Sequence, residues 1–116
     1  MKICNLDYLK SVTPGSNAFA IQILKLFLQD TPGSINGIKT ELQNANYEGI
    51  YKHAHKIKPS ISMVGVPAAT SDALLKINEL AKAERELEQI KELTSYLESE
   101  LEKIYADLRD SLKEME

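Results

Sequence analysis

From Leu87 to the end of the chain, apolar residues recur at Leu87, Ile90, Leu93, Leu97, Leu101, Ile104, Leu108, Leu112 and Met115, always three or four apart. That period belongs to one stripe of a long helix, whereas a strand repeats every second residue. A stripe of this length must be covered, and the natural cover is other helices of similar length. The chain supplies them. Tyr47, Ile50, Ala54, Ile57, Ile61 and Val64 repeat the spacing and predict a helix ending near Gly65, where a glycine in the left-handed region closes the last turn. Pro67 then opens another helix at its first turn, with Ala69, Ala73, Leu74, Ile77 and Leu80 facing inward.

The first part of the chain reads as shorter pieces. Asn5 is placed to N-cap a helix running to about Lys10, with Leu6 and Leu9 inward, and Thr13-Pro14-Gly15 stops it. Ser16 caps a second stripe made of Phe19, Ala20, Ile23, Leu24, Phe27 and Leu28. Thr31-Pro32 reads as a fresh cap and first turn, because proline lacks only an N–H that would be unpaired there. Ile35, Ile38 and Leu42 carry that piece to Asn44–Asn46, and Gly33 and Gly37 weaken it, so packing must hold it. No stretch alternates strictly enough to nominate a strand. The expected fold is all-α: an antiparallel up-down four-helix bundle with a short additional N-terminal helix. Its core spans about residues 16–115, the short helix about 5–10, and residues 1–116 form a single domain.

Composition narrows the function classes. The chain has 116 residues, 43% apolar and 27% charged, an ordinary globular balance. Its net charge of -3 argues against binding nucleic acid or an anionic membrane, which calls for a basic excess. The longest mostly apolar run, Ala18 to Leu28, is broken by Gln22 and Lys25 and falls short of the ~20 residues of a membrane span. With no apolar signal-peptide core at the amino terminus, the expected location is the cytoplasm. Cys4 is the single cysteine, which excludes an intramolecular disulfide and a cysteine-based zinc cluster and leaves a buried or half-buried thiol as the plain reading.

Both histidines, His53 and His55, lie on the helix that starts at Tyr47. Two residues apart, they diverge by about 200° and cannot chelate one ion. With Tyr47 as zero, the apolar stripe centres near about -30°, His55 falls near about +80° at its edge, and His53 near about -120° on the other flank. Lys58, Pro59 and Ser62 follow His55 on its own flank, and Lys52 lies one turn before it. A histidine with an ordinary pKa near ~6.5 is mostly neutral at pH 7, and its free ring lone pair can attack phosphorus without a base. A phosphoryl group there needs a counter-cation, which Lys58 can supply one turn along. The chain has no glycine-rich phosphate loop with its Lys-Ser/Thr and no acidic cluster suited to Mg²⁺. It could therefore carry a phosphoryl group but not draw one from ATP.

The run Ala54-His55-Lys56-Ile57-Lys58-Pro59-Ser60 followed by Met63-Val64-Gly65 resembles the histidine phosphotransfer (HPt) domains of multistep two-component phosphorelays. Leu6-Asp7-Tyr8-Leu9, Phe27-Leu28-x-x-Thr31-Pro32 and Asn46-Tyr47-Glu48-Gly49-Ile50 extend the likeness over nearly the whole chain. The resemblance implies a phosphorelay carrier that accepts a phosphoryl group from an aspartyl-phosphate receiver domain and passes it to another. In that pattern His55 matches the phosphoacceptor, Lys58 the supporting lysine and Gly65 the glycine that ends the active-site helix. Lys52, Lys56, Pro59 and Ser62 would form the docking surface for response-regulator receiver domains. Pro59 departs from the pattern, since glycine is commoner there; a helix kink is its simplest consequence, and a compact residue also keeps the receiver side of His55 open. The resemblance further implies no cofactor of the chain's own, Mg²⁺ residing in the receiver. The donor would belong to a hybrid sensor histidine kinase, in a separate or the same polypeptide, and the carrier would act as a monomer. The alternative is a non-catalytic helical adaptor in which His55 is incidental.

Overall fold

The computed structural model describes residues 3–15 and 17–116. Its helices are α1 (Asp7–Val12), α2 (Asn17–Gln43), α3 (Tyr47–Met63), α4 (Ala68–Lys82) and α5 (Leu87–Met115), with no strand among the described residues. The four long helices form a ring in which α2 packs on α3, α3 on α4, α4 on α5 and α5 back on α2. Neighbours joined by loops of a few residues must run antiparallel, so this is an up-down four-helix bundle with α1 outside the ring. The molecule measures 44 × 23 × 21 Å, its length set by the 27 residues of α2 and the 29 of α5 at ~1.5 Å per residue.

One hydrophobic cluster runs through the ring. Leu24 and Ile38 of α2, Ile50 and Ile61 of α3, Leu74 and Ile77 of α4, and Leu97, Leu101 and Leu108 of α5 are all buried in it. Each such side chain contributes roughly 1.5–3 kcal/mol of transfer free energy. The start of α3 is fixed by Asn46, whose side chain accepts the Gly49 N–H at 3.2 Å, satisfying one of the unpaired donors of the first turn. Lys39 and Glu98, 3.0 Å apart, tie the exposed sides of α2 and α5.

Local readings change in several places. The helix does not restart at Thr31-Pro32: α2 continues through Pro32 as one helix. Proline there removes the hydrogen bond to the Leu28 carbonyl and its ring crowds that carbonyl, at a cost of about 3 kcal/mol, and the burial of Thr31, Ser34 and Ile35 around it carries the helix across. Phe19, expected in the core stripe, is 53% exposed, because it lies about 100° round the helix from Ala20, which faces inward. Ala69 is exposed and Thr70 takes the core position. In place of capping α1 directly, Asn5 accepts the Asp7 N–H at 2.9 Å from two residues upstream. Ser16, the expected cap of α2, lies outside the described residues.

The segment before α1 is pinned at the end of the bundle. The Ile3 and Cys4 N–H groups donate to Asp107 Oδ2 at 3.0 and 2.9 Å, and the Asn5 N–H donates to the Gly65 carbonyl at 2.9 Å. Gly65 has φ +66°, and a Cβ there would collide with the Asn5 carbonyl oxygen. Glycine is therefore required twice: to turn the chain out of α3 and to let the N-terminal segment cross it. Burial, reinforced by the charge of Asp107 and a hydrogen bond to it, pushes the Cys4 thiol up to about 12.

Candidate functional site

α3 sorts its side chains onto two faces. Ile50, Ala54, Ile57, Ile61 and Val64 are buried, while Lys52, His55, Lys56, Lys58, Pro59 and Ser62 are all exposed. On the same wheel the buried set centres near about -60°, about 140° from His55. His55 thus stands well out on the open face instead of at the stripe's edge.

His53 turns the other way. It is half-buried against α2, where a Cβ on Gly37 would lie 2.5–2.7 Å from three atoms of its ring. Gly37 is the residue that lets the helices approach with an imidazole between them. The structure therefore separates the two histidines: one fills a helix-helix contact, the other faces outward.

Tyr51, one turn before His55, is the neighbour that sequence reasoning missed. The two rings are stacked, with centroids 5.4 Å apart and planes 18° from parallel. Helical Cα–Cβ bonds tilt toward the N-terminus, so His55 leans onto Tyr51 and away from Pro59, leaving the opposite side of the imidazole open. The same tilt brings the stem of Lys58 back toward the turn of His55. Lys58 and Lys56 make no ion pair with another described residue, whereas Lys52 pairs with Glu48 at 3.1 Å. Glu48 is the lone acidic residue of α3, against three lysines. The face around His55 is locally cationic on a chain of net charge -3, which suits an anionic group.

Pro59 leaves the His55 carbonyl without its intrahelical donor, yet α3 runs through it, and Ile57 and Ile61 stay buried on either side. It also borders a groove between α2 and α3 lined by Ile23, Leu26, Asp30, Ser60 and Met63. The α2 side of that groove was also missed. Its signal in the sequence is a second row, Phe19, Ile23, Leu26 and Asp30, spaced four, three and four beside the core stripe. Among the described residues, no group of three His, Cys, Asp or Glu side chains is placed to hold a metal ion. No helix of the described residues is long and apolar enough to cross a membrane.

A four-helix bundle that presents one uncrowded imidazole beside a lysine is the architecture of a phosphoryl carrier, and comparison with known proteins leads to the same class. The family model for the Hpt domain matches residues 22–115, and the chain belongs to that family. Its function is therefore histidine phosphotransfer in a phosphorelay. The crystal structure of histidine-containing phosphotransfer protein B from Pseudomonas aeruginosa PAO1 superposes with a TM-score of 0.86 at 17% sequence identity, over 97% of this chain and 96% of that one. At that identity the likeness is one of fold. A search of curated proteins finds no match.

Proposed function

We propose that His55 is the phosphoacceptor and that Lys58 neutralises the charge of the phosphoryl group it carries. The observation that carries this reading is the exposure of His55 at the centre of the lysine-bearing face of α3, with Lys58 one turn further on. A neutral ring nitrogen of His55 directs its lone pair at the phosphorus of an aspartyl phosphate on a receiver domain. The N–P bond forms as the P–O bond to the aspartate breaks, and that electron pair leaves with the carboxylate. While its second nitrogen stays protonated, the phosphorylated ring is a cation. When a second receiver's aspartate attacks, the N–P electron pair returns to the ring and neutral imidazole is the leaving group.

In this scheme the chain itself needs no cofactor and no nucleotide site, and the Mg²⁺ belongs to the receiver. The donor receiver is that of a hybrid sensor histidine kinase, in the same or a separate polypeptide, and the carrier works as a monomer in the cytoplasm. Lys52, Lys56, Pro59 and Ser62 meet the receiver, joined by Leu26 and Ile23 across the groove. The positive face steers the encounter, since charge complementarity raises association rates. The test is to mix the protein with a receiver domain carrying radiolabelled aspartyl phosphate. Acid-labile, alkali-stable label is expected on the parent protein and none on His55→Gln. If His55→Gln takes label as well as the parent, the assignment is overturned and the adaptor reading takes its place.

A further inference from the structure

We propose that Tyr51 is a positioning residue for His55: its ring holds the imidazole in one orientation before phosphoryl transfer. The inference rests on the reading of His55 as phosphoacceptor. An exposed histidine on a helix has several staggered side-chain conformations open to it, and only some present a ring nitrogen outward to a partner. Tyr51 restricts that choice. It is half-buried and packs against the core cluster, so its ring is fixed from below, while His55 above it is exposed. A centroid distance of 5.4 Å with planes 18° apart falls in the range of offset stacking, ~4.5–7 Å. Stacking covers one face of the imidazole and leaves its edge, where the nitrogens are, available.

The contact also favours the loaded state. The face of a tyrosine ring attracts a cation, and the phosphorylated, protonated imidazole is more cationic than the neutral ring it came from. Neither effect uses the tyrosine hydroxyl. Phenylalanine should therefore replace Tyr51, and an aliphatic residue should not.

The experiment compares Tyr51→Phe, Tyr51→Leu and Tyr51→Met by two readouts. In proton NMR of the unphosphorylated protein, the stacked ring shields the His55 ring protons; Leu and Met variants should lose that upfield displacement, Phe should keep it, and the His53 signals should not move. In phosphotransfer from a labelled receiver domain, the Leu and Met variants should be about 2- to 10-fold slower, the range expected for loss of one aromatic pair, and Phe should match the parent. Folded Leu or Met variants that accept phosphate at the parent rate, or that leave the His55 signals in place, overturn the proposal. Using both aliphatic variants guards against one of them failing to fold. If His55→Gln still accepts label, it is the phosphoacceptor reading that fails, while the NMR comparison still reports on the stack.

Discussion

His53 and His55 stand two residues apart on α3 with opposite surroundings. His53 presses its ring onto the backbone of α2 at Gly37, whereas His55 leans on Tyr51 and is otherwise open. The residue type is the same; the side of the helix decides what it does. One imidazole is held by a neighbouring helix and serves the fold, and the other is held by one ring of its own helix and is left available for chemistry.

That contrast can be broken by mutation, and the largest effect is expected at His55. His55→Gln should reduce phosphoryl acceptance to background while changing stability by no more than ~0.5 kcal/mol, as exposed substitutions usually do. His53→Gln should do the reverse, lowering the urea midpoint while leaving transfer intact. Next comes Gly37→Ala, which forces a methyl group into the His53 ring. It should cost about 1–3 kcal/mol in urea unfolding, and pairing it with His53→Ala should recover much of that loss, because the two side chains compete for one space. Full additivity of the two changes would show that His53 does not fill that contact.

Smaller effects separate charge from packing. Lys58→Ala should leave the melting temperature unchanged and slow transfer, or shorten the lifetime of the phosphohistidine, by roughly 3- to 10-fold, less than a buried charged hydrogen bond supplies. Unchanged kinetics would remove Lys58 from the site. Cys4 extends the contrast to a second nucleophile type. Its thiol is raised from 9.0 to about 12, so the folded protein holds the proton more tightly than the unfolded chain. The contribution to stability is then fully present below pH 9 and is lost as pH rises from there through about 12. A thiol reagent at pH 8 should leave Cys4 unmodified in the folded protein and react once urea unfolds it.

The helical class and the bundle were legible in the sequence because the α5 stripe is long and regular, and the spacing from Tyr47 to Val64 placed His55 at the edge of the apolar stripe, short of its position well out on the open face. Thr31-Pro32 misled because a proline at a first turn and a proline crossed by a well-packed helix look alike locally; the burial of Thr31 and Ser34 tells them apart. Asp107 was invisible for a different reason. It is a carboxylate buried in α5 only because Ile3 and Cys4, more than a hundred residues away, bring it two backbone N–H groups, and hydropathy ranks such a residue as exposed. At the proposed site, His55 and Lys58 could be nominated as candidates from residue types, spacing and the HPt resemblance. Tyr51 and Gly37 could not, since a ring stack and a close helix approach depend on where neighbouring groups lie in space.

The central question is which imidazole carries the phosphate. Phosphorylating the protein from a receiver domain, digesting it at mildly alkaline pH and locating the modification by electron-transfer fragmentation answers that directly. The phosphate should map to His55, with His53 unmodified. A phosphate on His53, or on neither histidine, would contradict the account.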